Sequence, residues 1–313
     1  LGKDSSAAAR AEARWIFDTN WSLPPEDLLE FVAPGVRGDS SDPRVSPARP
    51  YWGRLGRPVD AAFVPGHTMP NYRQHCVYLG ALAVALALLG CLAWGRGPKY
   101  ADVPFWTVAA VVLVLCSLGR FTPFYRLVYQ LPFMDYLRAP VKFHHLVEFA
   151  VAILAGYGLE ALREAAPAFR AVRRRALILV LVLAAMVGAA ALWGASSADT
   201  LAASISALGF GPAGGAALAG NFAPACARGF VLLLATAAAF FVVDAGNPSA
   251  SRSAGRLSLP LLLAVGLAVV NAIDLAEIDH RYCAPVDVSF VRTPNPAAAD
   301  ILAAGGGRLV DAV

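Results

Sequence analysis

The sequence has 313 residues, of which 58 % are hydrophobic and only 15 % charged, and its formal net charge is +4. A soluble domain carries about 25 % charged residues, so the composition excludes an ordinary soluble enzyme. The small positive balance, spread among loops, gives no basis for nucleic-acid binding. The apolar residues fall in long uncharged blocks, and the sequence predicts an all-α polytopic membrane protein with about six transmembrane helices and a structured extracytoplasmic N-terminal loop.

Residues 1–75 hold nine basic and nine acidic residues and are rich in Pro and Gly, so they read as an aqueous loop region. Two short helices are expected there. One covers Ala7 to Phe17 behind a Ser5 or Ser6 cap. The other opens at Pro24 or Pro25, carries Glu26 and Asp27 in its first turn and stops before Pro34-Gly35. Glu26 and Asp27 suit that first turn electrostatically, and a general base is the alternative reading. Tyr51-Trp52-Gly53 reads as an exposed aromatic pair for stacking on a sugar, or equally as a packing element.

The transmembrane region, 76–276, holds candidate spans at 76–94, 103–119, 146–162, 176–193, 229–243 and 257–273, with Trp94, Trp106 and Trp193 near block ends as interfacial aromatics. Arg163, Arg170, Arg173, Arg174 and Arg175 mark the loop after the third span as cytoplasmic, and alternation puts Arg96/Lys99 and Arg252/Arg256 on that side too. Arg120 to His145, with four basic residues, dissents from this pattern on the outer side. The uncharged stretch 200–227 reads as an outer loop broken at Gly211-Pro212 and Gly214-Gly215, with a seventh span as the alternative. Residues 277–313 read as the start of a truncated extracytoplasmic soluble domain. The chain opens with neither Met nor a signal segment, so it reads as an internal part of a longer protein. The five cysteines form no CxxC or Cys/His metal spacing, and no disulfide framework is expected.

The loop between the second and third spans is the richest in chemistry. Thr122-Pro123 opens a helix on which Phe124, Leu127, Val128 and Leu131 form an apolar stripe lying in the interface, with Arg126 toward the headgroups. Then comes Arg138-Ala139-Pro140-Val141-Lys142-Phe143-His144-His145, with Pro140 in the first turn of the third span. Arg138, Lys142, His144 and His145 ring a helix start, and Glu148 shares a face with either histidine. That arrangement suits a phosphate; anchoring to anionic lipid headgroups is the alternative. Asp274 and Glu277, at the outer end of the sixth span, read as marking its exit into water, with pairing to that cluster or a cation site as alternatives.

In order and spacing, several pieces resemble the YfhO-like bacterial membrane proteins, a branch of the GT-C glycosyltransferase superfamily. They are Ser22-Leu23-Pro24-Pro25-Glu26-Asp27-Leu28-Leu29 with Pro34-Gly35, then Tyr51-Trp52-Gly53, Gly119-Arg120-Phe121-Thr122-Pro123-Phe124-Tyr125, Leu131-Pro132, Leu137-Arg138-Ala139-Pro140 and Ala155-Gly156-Tyr157-Gly158-Leu159. The resemblance covers about Trp15 to Leu162. It implies a multi-pass enzyme of the bacterial inner membrane that takes a sugar from a polyprenyl-phosphate carrier and modifies a cell-envelope acceptor. It implies a carrier-phosphate contact at Arg138, admits a divalent metal without a visible ligand set, and transfers no catalytic residue to this chain. Lys142, His144, His145 and Glu148 join the candidate site from spacing alone. A lipid or polysaccharide transporter, with Gly156 and Gly158 as helix breaks, and a membrane anchor without activity are the competing classes.

Overall fold

The computed structural model describes residues 6–39, 49–56, 77–164, 166–245 and 259–282, and the regular structure among the described residues is helical, without β-strands. The expectations resting on Cys76, Arg252, Arg256, Cys283 and the tail beyond Tyr282 lie outside them.

Ser6 opens α1 (Ala7–Thr19), its Oγ accepting the Ala9 N–H at 3.2 Å, and so satisfies one of the helix's orphan donors. Pro25 opens the second expected element, a 3₁₀ helix over Pro25–Phe31. After it come α2 (Ala81–Leu92), α3 (Val103–Ser117), α4 (Pro123–Tyr129), α5 (His144–Arg163), α6 (Pro167–Ser196), α7 (Ala198–Ile205), α8 (Gly211–Ala245) and α9 (Leu259–Tyr282).

The end that carries residues 6–39 and 49–56 is called the upper end. There the Leu79 N–H donates to the Phe31 carbonyl, Leu23 to Ser117 and Val141 to Trp21, while Arg228 of α8 meets Asp274 of α9. At the lower end Lys99 meets Glu160 at 2.9 Å, and Tyr100 packs on Phe169 with ring centroids 5.5 Å apart. So α2, α5 and α8 descend, and α3, α6 and α9 return. Four stretches among the described residues are long and apolar enough to cross a membrane: Pro98–Ser117, Pro140–Arg163, Pro167–Ser196 and Ala198–Val243. Their outward faces are apolar, with Phe105 and Val108 on α3, Phe149 on α5 and Ile178, Val182 and Met186 on α6 all exposed. In water such a surface is unfavourable; in lipid it is the expected one.

Several expectations need correction. The first span, placed at 76–94, is helical only over Ala81–Leu92. At 1.5 Å per residue that is about 18 Å, against about 30 Å of hydrocarbon. The upper part of its slot is filled by the supposed aqueous loop. Val32, Ala33 and Val36 share a core with Ala81, Leu82 and Ala85, and Gly80 turns the chain into α2 with φ +91°. Hydropathy marked the block as apolar without revealing that other chain covers it.

The stretch 200–227 is helical, where a broken loop was expected. After α7, a π-helical turn over Ser206–Phe210 and positive φ at Gly209 and Gly211 reverse the chain, and Pro212 sits in the first turn of α8. Gly215 packs against Ser206 and Ala202 of the ascending limb, Phe222 against Gly194, and Phe230 against Gly188. This antiparallel pairing makes the span expected at 229–243 the second half of a 35-residue helix. One limb ascends and one descends, so 198–245 adds a single return passage.

The glycines proposed as breaks in the third span are not breaks, since α5 runs unbroken through Gly156 and Gly158. Gly158 instead lies against the Leu86 carbonyl of α2, and Gly90 of α2 against the Leu154 carbonyl, so the two helices cross on glycine backbone.

Candidate functional site at the head of α5

Residues 138–141 lie along the end of α1. The Ala139 N–H donates to the Asp18 carbonyl at 2.9 Å and Val141 to Trp21 at 2.9 Å, with Ala139 held at φ +63°. Pro140 then opens a 3₁₀ turn, Pro140–Phe143, that leads into α5 at His144. Proline needs no donor at a helix start, so this boundary falls where the sequence puts it.

Fixed in this way, Arg138 stands beside Asp18, with Nε 3.7 Å from Oδ1, and its guanidinium lies over the Phe17 ring at 4.8 Å. The side chain is 68 % exposed. Asp18 is only 3 % exposed and serves as a hub: Arg14 Nε lies 3.5 Å away and the Tyr129 hydroxyl donates at 2.7 Å. Burial and the Asp18 carboxylate raise the Tyr129 phenol above its usual pKa, so it stays a donor. Arg14 also reaches Asp135 at 3.0 Å. Sequence reasoning did not single out Asp18. Its i,i+4 spacing from Arg14 is a local signal, but its link to Arg138 spans the chain.

Beyond Pro140 the expected ring of cations divides. Lys142 and His145 are exposed, with His145 Nδ1 3.5 Å from Glu148. His144 turns inward: it is buried, its ring centroid lies 5.1 Å from that of Phe31, and its Nε2 is 3.3 Å from Glu148. The i,i+4 and i,i+3 spacings to Glu148 hold for both histidines. His144 nonetheless belongs to the packing, and the side chains of this cluster that remain exposed are Arg138, Lys142 and His145.

Phe17 and Tyr136, on which Arg138 and Arg14 stack, are exposed, as are Leu127, Leu131, Phe133 and Leu137 of the same loop region. The stripe expected on α4 is split. Phe124 and Val128 pack toward Trp15 together with the fully buried Tyr125, while Leu127 and Leu131 face outward. Arg126 stacks on Trp15 at 4.8 Å and pairs with Glu12 at 3.4 Å.

Other candidate residues are engaged elsewhere. Asp27 is fully buried, accepting the Tyr51 hydroxyl at 2.5 Å with Arg37 Nε 3.2 Å away, and Arg37 stacks on Trp52 at 4.5 Å. Tyr51 and Trp52, read as an exposed pair, are therefore packing residues. Glu26 is held bidentate by Arg54 at 2.6 and 2.7 Å. Burial acts against its ionisation, yet the Arg54 fork prevails and lowers its pKa. Asp274 and Glu277 do more than mark an exit. Arg228 donates to Asp274 at 2.7 Å and to Glu277 at 2.9 Å, and the Tyr78 hydroxyl also bonds Asp274. Among the described residues no group of three or more His, Cys, Asp or Glu is placed to hold a metal ion.

Compared with known protein families, curated proteins and solved structures, the chain matches none of them.

Proposed function

We propose that this chain forms the helical body of a membrane glycosyltransferase that binds a polyprenyl-phosphate-linked sugar at the head of α5 and serves a cell-envelope acceptor. In this reading the chain crosses the bacterial inner membrane six times, with its upper end extracytoplasmic. The observation that carries it is a juxtaposition. Exposed Arg138 lies over the exposed Phe17 ring at 4.8 Å and follows exposed Leu137, with exposed Lys142 and His145 further along the same segment, at one end of apolar helices. A phosphate on an isoprenoid tail needs such a pair of surfaces, cations for the head and apolar side chains for the first tail units. The resemblance of the Arg138-Ala139-Pro140 stretch to the YfhO-like proteins supplies the reaction class, in which Arg138 stabilises charge on the leaving carrier phosphate.

Arg138→Ala is expected to weaken polyprenyl-phosphate binding at least tenfold, about 1.4 kcal/mol. Arg138→Lys keeps the charge without the planar fork and falls between alanine and wild type. Carrier affinity measured on the three purified proteins in detergent checks this. Equal affinity in all three would mean that Arg138 only anchors to headgroups.

Orientation has its own test. Arg173 is buried and donates to the Glu164 carbonyl at 2.8 Å, so it is unsuitable as a reporter, whereas Arg174 is exposed. Arg174→Cys in a cysteine-less background is expected to resist an impermeant thiol reagent added to whole cells and to react after permeabilisation. Strong labelling from outside would reverse the topology.

A transporter reading has one observation in its favour: the chain at 77–80 enters the bundle unhelical. It predicts carrier movement across the bilayer without release of sugar, which a transfer assay with labelled carrier separates.

A further inference from the structure

We infer that Arg170, Arg174 and Arg175, on the first turns of α6, bind the anionic headgroup of a phospholipid in the lower leaflet. The inference rests on the apolar helices crossing a bilayer and is independent of the chemistry proposed at the upper end.

Three observations meet here. First, α6 opens with no acidic residue in its first turn and no side-chain cap, yet carries four arginines between residues 170 and 175. Cations oppose the positive end of the helix dipole, so the first turn of α6 does not itself answer this charge. Second, the four divide by role. Arg173 is buried and ties α6 to the end of α5 through the Glu164 carbonyl, whereas Arg170, Arg174 and Arg175 are exposed and form no ion pair among the described residues. Of the acids at the end of α5, Glu160 and Glu164 are held by Lys99, and Arg163 lies 3.8 Å from Glu160. Third, the arginines sit directly over a lipid-exposed stripe. Arg175 shares a face with Leu179, Val182 and Met186, and Arg174 with Ile178, all exposed.

Positions four, seven and eleven apart share a helix face, so the Arg174 and Arg175 guanidiniums stand at the level where the stripe leaves hydrocarbon, with Arg170 one turn below Arg174. A phospholipid laid along it puts its acyl chains on Ile178, Val182 and Met186 and its phosphodiester among the three arginines. A zwitterionic headgroup brings a cation into the same place and gains less. A soluble phosphate has no use for the stripe.

The test is lipid binding to the purified chain, read by native mass spectrometry and by thermal unfolding in detergent with added lipid. Phosphatidylglycerol is expected to bind and stabilise the wild type more than phosphatidylcholine, with affinity falling as salt rises. Each arginine near an anionic surface contributes roughly a factor of five, so the triple variant R170Q/R174Q/R175Q loses roughly a hundredfold in phosphatidylglycerol affinity. R170K/R174K/R175K retains most of it, and inorganic phosphate does not displace the lipid. Equal affinity for the two lipids in the wild type, undiminished phosphatidylglycerol binding by the glutamine variant, or displacement by inorganic phosphate would each overturn the assignment. Should the glutamine variant not fold, the lysine variant and the salt dependence of the wild type decide it.

Discussion

Asp27→Ala is expected to cost about 3–5 kcal/mol of stability, because it removes one partner of a buried ion pair and leaves the other behind. Asp27 has no exposed surface, and it receives both the Tyr51 hydroxyl and the Arg37 guanidinium. Around it the Glu30 carboxylate accepts the Gly35 and Arg37 N–H groups at 3.1 and 2.7 Å, so the 3₁₀ helix and the turn after it fold about one charged centre. The damage should reach the bundle, since Val32, Ala33 and Val36 of this segment complete the core above α2. Unfolding of the purified protein in detergent measures the loss. Tyr51→Phe removes the hydrogen bond donated to the Asp27 carboxylate and the one accepted from the Leu55 N–H but leaves the ion pair, and should cost at least about 1.5–3 kcal/mol. It should also change the alkaline limb. Burial and the Asp27 carboxylate push the Tyr51 phenol well above its usual value of 10.0. The folded state therefore holds that proton more tightly than the unfolded chain. Its contribution is complete below the unfolded value and is lost as pH rises from there toward the folded one. Tyr51→Phe should flatten that decline; an unchanged alkaline slope would deny the phenol this part.

Gly158→Ala should destabilise the bundle by about 1–3 kcal/mol, whereas Gly156→Ala, two residues away in the same helix, should be neutral or stabilising. A β-carbon on Gly158 would run into the Leu86 carbonyl, with the carbonyl carbon at 2.7 Å, and one on Gly90 would meet the Leu154 carbonyl. The obstruction is backbone, so relief requires moving α2 away from α5, and overpacking of this kind costs about 1–3 kcal/mol at a single site. At Gly156 an added β-carbon meets nothing within 4 Å, and the exchange gains the roughly 0.5–1 kcal/mol by which alanine exceeds glycine inside a helix. Thermal unfolding of the two variants side by side isolates the close crossing from helix propensity. Equal stability would show that α2 and α5 do not approach on these glycines.

The sequence by itself determined what depends on neighbours along the chain. Ser6 before an alanine run, Pro25 at a helix start, and Pro140 ahead of a helix carrying His144, His145 and Glu148 on adjoining positions each encode a local geometry, and each element begins within a residue or two of its signal. Long uncharged blocks likewise located α3, α5 and α6, because apolar surface and helix length are local sums. Only the tertiary structure decided which apolar helix is covered and which charge is answered. Hydropathy gives the same score to a helix that faces lipid and to α2, whose upper slot is filled by residues some fifty positions earlier. It also reads as a loop a glycine-rich stretch that α6 and α7 hold helical by packing against it. The candidate site divides in the same way. The cations around Pro140 are legible from spacing, but the Asp18 hub that orients Arg138, the inward turn of His144 and the Arg228 clasp on Asp274 join residues far apart in sequence. A buried charge is stable only with its partner, and the fold supplied these partners from distant parts of the chain, where no local pattern records them.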